Sequence, residues 1–174
     1  MIRVTMLWQT EILYKFLLMA SDLSYKITVS NNKTEKEGID FLLSDDARFL
    51  NPDTESRKVI MELLNLDPKF KRAFDLIMID GHYNQESLIE LHKSDRITLV
   101  ELKTTKKYLP NNPKGFFFGA TENEFEIANL LEDKYKFCFV SLHQDSKSYK
   151  LLNLSELETI IQNKRIQYQI NLVK

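Results

Sequence analysis

Glu101 and Lys103 stand two residues apart at the end of an apolar, β-branched run, Ile97-Thr98-Leu99-Val100-Glu101-Leu102-Lys103. Side chains alternate between the faces of a strand, so this spacing places Glu101, Lys103 and Leu99 on one face and Val100 and Leu102 on the other. Two opposite charges side by side on an otherwise apolar strand are costly unless they are paired or liganded. A third group of interest is Asp75, which opens the apolar run Phe74-Asp75-Leu76-Ile77-Met78-Ile79. If the two runs are antiparallel neighbours, the start of the first lies beside the end of the second, and Asp75 meets Glu101 and Lys103 at one sheet edge. Two carboxylates there supply the hard oxygen ligands that Mg²⁺ prefers, and the Leu102 carbonyl adds a further oxygen. Phosphodiester hydrolysis requires a metal, a nucleophilic water and a positive charge to offset that of the phosphate. Asp75, Glu101 and Lys103 are therefore the candidate catalytic residues, with Asp75, Glu101 and Leu102 as the candidate Mg²⁺ ligands.

These elements must be positioned by the rest of the chain. Trp8, Ile12, Leu13, Phe16 and Leu17 recur at helical spacing and predict a helix over Trp8 to Met19, followed by a strand over Leu23 to Val29. Residues Gly38 to Leu50 hold two apolar runs and are ambiguous. Asn51-Pro52-Asp53-Thr54 starts a helix reaching about Asn65, with Val59, Ile60, Leu63 and Leu64 as its apolar stripe. After Pro68 the pattern turns to strands. Asp80-Gly81 is a turn signal, and Ser87 to Leu91 is a candidate returning strand. Arg96 to Leu102 forms the next strand, and Lys103 to Lys114 a loop. Thr121 and Glu124 read as a capping box that opens a helix. Tyr135 to Leu142 is a buried strand, and Tyr149 to Leu152 pairs with it. Asn153 or Ser155 caps a last helix reaching about Lys164, and Ile166 to Val173 is a terminal strand. The predicted class is α/β, a central mixed β-sheet flanked by helices. It forms one domain over residues 1–174, with its core at about 72–152 and a helical N-terminal elaboration over 1–70.

The combination resembles the PD-(D/E)XK, or restriction-endonuclease-like, superfamily. Phe74-Asp75 stands in place of Pro-Asp, and Glu101-Leu102-Lys103 is the ExK half, continued by Thr104-Thr105 as in its EVKTT version. A helix opening Thr121-Glu122-Asn123-Glu124 and then a strand follow, similar to a branch of small nuclease domains found with restriction systems. The likeness covers roughly residues 72–152. The first half-motif lacks its proline, which leaves Asp75 and Asp80 both open as the first acid. Asp75 is preferred because the family's Asp begins its strand. The resemblance also implies an accessory acid on an early helix, Glu11 or, more weakly, Glu35. It implies a Mg²⁺-dependent DNA endonuclease of restriction type that works as a homodimer, since one site cuts one strand and a two-fold dimer offers two. Two alternatives are a non-catalytic nucleic-acid-binding or assembly module that keeps the fold, and a repair or defence nuclease acting on other nucleic acids.

Composition constrains these readings. Lys and Arg total 24 against 25 Asp and Glu, for a formal net charge of −1. Bulk positive charge is thus excluded as a means of holding DNA, and a local basic face must do so. Lys106, Lys107 and Lys114 beyond the ExK strand, with Lys71 and Arg72 before Asp75, are the candidate DNA contacts. The run Phe116-Phe117-Phe118 reads as core more readily than as a base-stacking surface. His82, His92 and His143 share no zinc-ligand spacing. The single cysteine, Cys138, allows no intrachain disulfide and predicts a reducing compartment. An N-terminal apolar run broken by Gln9, Thr10, Glu11 and Lys15 predicts no signal peptide, and no run is long enough to span a membrane. The expected location is cytoplasmic.

Overall fold

The computed structural model describes residues 33–80 and 94–166. Glu11, the predicted helix over Trp8 to Met19, the strand over Leu23 to Val29, the returning strand Ser87 to Leu91, His82, His92 and all but the first residue of the terminal strand lie outside the described residues.

Among the described residues, five strands form one mixed sheet in the order β1-β2-β3-β4-β5. They are β1 (Phe49–Leu50), β2 (Leu76–Ile79), β3 (Ile97–Thr105), β4 (Tyr135–Ser141) and β5 (Ser148–Leu152). All neighbours are antiparallel except β3 and β4, which run parallel and are joined through the helix α3 (Glu122–Leu131). A parallel pair needs such a crossover because a tight hairpin cannot return the chain in the same direction. The α/β class and the helix-flanked mixed sheet are thus as predicted.

The period of two along each strand sorts the core into two layers. Ile77, Ile79, Leu99, Phe137 and Phe139 share one face with Ile60 and Met61 of α2 (Thr54–Leu63), Ile127 and Ala128 of α3, and Leu157 of α4 (Leu154–Glu158). Leu76, Met78, Val100, Leu102, Cys138 and Val140 share the other face with Ile39 and Leu42 of α1 (Lys33–Asp45). Gly38 is where α1 comes closest to the sheet. A Cβ there would lie 2.5 Å from Cγ2 of Thr104, so the absence of a side chain permits the approach.

Several local boundaries differ from the predicted ones. The ambiguous segment before Leu50 resolves into α1 and the short β1. Residues Pro68–Arg72 form a 3₁₀ helix, capped by Asp67, ahead of the apolar run that opens at Phe74, of which Leu76–Ile79 is strand. β3 extends through Thr105, because Lys103, Thr104 and Thr105 pair with Phe139, Val140 and Ser141 of β4. The polar side chains of these residues hid a strand that only its long-range partner stabilises. The last helix is short, with Asn153 and Glu156 forming a reciprocal capping box. Among the described residues no helix is long and apolar enough to cross a membrane.

Candidate active site

The sheet register decides which charged groups meet. β2 pairs β3 with Leu76 opposite Val100 and Ile77 opposite Leu99. One step further this register sets Asp75 opposite Glu101, and the Asp75 N–H donates to the Val100 carbonyl at 2.9 Å. Directly opposed residues on one face of an antiparallel pair have Cβ atoms roughly 4.5–5.5 Å apart. Oδ2 of Asp75 accepts the Leu102 N–H at 2.8 Å, where the ladder would otherwise end with that donor unmet. Asp80 lies at the other end of β2, exposed, with its carbonyl accepting from Arg96. Five residues of strand, roughly 17 Å, separate it from Asp75. Asp75 is therefore the acid that the sheet sets beside Glu101, and Asp80 is remote from it.

Lys103 reaches along the same face. Its ammonium donates to Oε1 of Glu101 at 2.8 Å and to Oε2 of Glu124 at 2.7 Å. Glu124 is 6% exposed and Glu101 7% exposed, so the lysine is clamped between two buried carboxylates. The sequence reading placed Glu124 only in a capping box. Thr121 does cap α3, its hydroxyl oxygen accepting the Glu124 N–H at 3.3 Å. The Glu124 carboxylate serves Lys103 instead, and the Thr121 hydroxyl donates to its other oxygen at 3.1 Å. A charge-assisted bond to an ammonium is about twice as strong as a bond to a neutral donor, which favours this choice. The signal available in the sequence was an acid on the same helical face as Ile127 and Ala128.

Arg57 is a second participant with no advance signal beyond its place on the inner side of α2. Its guanidinium donates to the carbonyl of Phe74 and, at 2.5 Å, to that of Asp75, and lies 4.7 Å from the Phe74 ring centroid. The arginine thus fixes the backbone on which Asp75 is carried and brings positive charge to both acids. Glu35, in the first turn of α1, is close enough for its charge to act on Asp75 and Arg57.

Crowding shifts the acids. Burial, then the Asp75 charge, pushes the Glu101 carboxyl up to about 8, although Lys103 opposes this. Burial pushes Asp75 up to about 6 and Glu35 adds to the shift, while the Leu102 N–H, Arg57 and Lys103 hold it down. For Lys103 burial is the largest single influence and draws it down, but Glu101 and Glu124 together outweigh burial and leave the ammonium's pKa raised. Oε2 of Glu101 is buried and has no hydrogen-bond partner among the described residues. Buried polar atoms are nearly always satisfied, so an orphaned carboxylate oxygen is unusual. Among the described residues no group of three or more His, Cys, Asp or Glu side chains is arranged to hold a metal ion by itself.

The predicted DNA-contacting residues are dispersed around the same end of the sheet. Lys71 and Arg72 are exposed on the 3₁₀ helix that leads into β2. Lys106, exposed beyond β3, pairs with Glu37 of α1 at 2.7 Å, so part of its charge is already offset. The Lys107 ammonium donates to the Gly115 carbonyl at 3.4 Å, and Lys114 is exposed one residue earlier in the same loop. Phe116 and Phe118 pack edge-on against Phe139, with centroids 5.1 and 5.0 Å away. Phe117 between them points outward. No protein-family model, no curated protein and no solved structure matches the chain.

Proposed function

We propose that this chain is a divalent-metal-dependent nuclease that hydrolyses DNA phosphodiester bonds, as a restriction-type enzyme working as a homodimer in the cytoplasm. The observation that carries the reading is the cross-strand pair Asp75 and Glu101, with Lys103 two residues along the same face and Oε2 of Glu101 buried and unpartnered. A carboxylate oxygen in that condition is stabilised by a cation. When all are ionised, Asp75, Glu101, Glu124 and Glu35 are opposed, among the described residues that act on one another here, by Lys103 and Arg57, leaving an excess of two negative charges among them. One Mg²⁺ ion offsets that excess. The residues that would hold it are Asp75 through its free oxygen, Glu101 through Oε2, and the Leu102 carbonyl, with water completing the shell.

Bound there, the ion would lower the pKa of water and neutralise charge on the scissile phosphate. The chain's own groups do the rest. Arg57 fixes the carbonyls of Phe74 and Asp75 and so the direction of the Asp75 carboxylate. Lys103 orients a water and offsets phosphate charge once Glu101 turns away from it. Glu124 keeps the ammonium in place during that exchange, because Lys103 has two anchors and gives up one. The reaction consumes one water, forms one P–O bond and breaks another. Exposed Lys71, Arg72, Lys107 and Lys114 surround this end of the sheet and suit contact with the DNA backbone.

Plasmid nicking tests the reading. Supercoiled DNA is converted to open-circular or linear form with Mg²⁺, and not with EDTA or with Lys103→Ala. Undiminished nicking by Lys103→Ala would remove this site from the reaction. A folded wild-type protein that cuts neither DNA nor RNA would leave a nucleic-acid-binding module.

A further inference from the structure

Phe117 is 95% exposed, the most exposed large apolar side chain among the described residues. Its neighbours explain how it is held there. Phe116 and Phe118 lock onto Phe139 on either side, and Phe139 is the β4 partner of Lys103. The Phe116 N–H donates to the Pro113 carbonyl at 3.0 Å, and Gly115 takes a left-handed φ of +79° that a side chain would strain. The loop is therefore tied down on both sides of one outward-pointing ring. A ring presented this way has lost little freedom left to lose, which favours its use as a contact.

Its surroundings indicate the kind of contact. Lys107 bonds to Gly115, and Lys114 is exposed three residues before Phe117. Tyr108, 54% exposed, follows Lys107 and stacks edge-on with His143 at 5.2 Å. Lysines interleaved with exposed aromatic rings are the arrangement that tracks a phosphate backbone while stacking on its bases. An apolar partner protein would not call for the two lysines carried on the same loop.

We infer that Phe117 stacks on one unpaired base of the nucleic-acid strand bound at the Asp75–Glu101–Lys103 site, a base of a single strand or one drawn out of a duplex. This rests on the nuclease reading for the identity of the strand, but it is measured without cleavage. Fluorescence anisotropy in EDTA compares a labelled oligothymidylate, a duplex of equal length and an equal-length strand of abasic sites. The wild type should bind oligothymidylate more tightly than the abasic strand. Phe117→Ala should weaken oligothymidylate binding roughly five- to hundred-fold, as expected for loss of one base–aromatic stack, and leave the abasic strand unaffected. Phe117→Trp should retain the preference. Equal weakening on both strands, unchanged binding by Phe117→Ala, or no binding of oligothymidylate by the wild type would overturn the assignment. So would a change in sedimentation from dimer to monomer with oligonucleotide binding intact, which would make Phe117 a contact between copies of the chain. A wild type that binds in this base-dependent way but cuts neither DNA nor RNA would reject the nuclease reading and leave the stacking contact standing.

Discussion

The buried acid pair makes stability depend on pH in a direction opposite to that of a salt-bridged carboxylate. In the unfolded chain Asp75 and Glu101 lose their protons near their ordinary values of 3.8 and 4.5, whereas in the folded chain the pair gives up its protons at about 6 and about 8. Between pH 6 and pH 8 the folded chain therefore holds roughly one proton more than the unfolded chain. Stability is expected to fall as pH rises through that window, by on the order of 1 kcal/mol per pH unit. The raised pKa of Lys103 does not compete, because its contribution is fully present below its unfolded value of 10.5. Urea unfolding in EDTA at pH 6, 7 and 8 reads this as a midpoint falling by on the order of 1 M. Glu101→Gln cannot ionise at this position, so the variant should lose most of that slope. Taking the difference between variant and wild type removes the titrating groups that do not interact with Glu101. Added Mg²⁺ should raise the wild-type midpoint more at pH 8 than at pH 6, since the ionised pair is the form that takes a cation. Stability that is level or rising from pH 6 to pH 8 in EDTA, or an equal slope in Glu101→Gln, would refute the argument that these acids are desolvated together.

Two further outcomes follow from contacts around the site. Glu124→Gln removes one of the two carboxylates that clamp Lys103 and should cost about 3 kcal/mol, with a coupling of about 1–3 kcal/mol to Lys103→Met in a double-mutant cycle and at least a tenfold loss of nicking. Additive costs would mean that the 2.7 Å contact contributes nothing in solution. Gly38→Ala should destabilise by about 1–3 kcal/mol, because its Cβ would lie 2.5 Å from Cγ2 of Thr104, and Thr104→Ser, which deletes that methyl, should restore most of the loss in thermal unfolding.

The alternation of Ile97 to Lys103 was enough to put Glu101 and Lys103 on one face and Val100 and Leu102 on the other, because the period of a strand is a property of the local backbone. Capping chemistry likewise marked Thr121 as the start of α3 and narrowed the start of α4 to Asn153 or Ser155, of which Asn153 is the cap, since each cap is satisfied within three residues. The alternation of the chain could also place Asp75 at the head of a strand, but it could not choose between Asp75 and Asp80. That choice depends on the antiparallel register of β2 against β3, fixed by side-chain packing on both faces of the sheet. Extension of β3 through Thr105, the clamp of Glu124 on Lys103 across 21 residues, the hold of Arg57 on the backbone of Asp75 across 18, and the approach of Glu35 were equally beyond local pattern. Each joins residues far apart in the chain, and short-range periodicity carries no information about which distant element will pack beside which. The sequence by itself determined the kinds of groups and the faces they occupy. Their convergence was decided by tertiary structure, because burying two apolar faces of one sheet is what brings α1, α2 and α3 to the same end of β3.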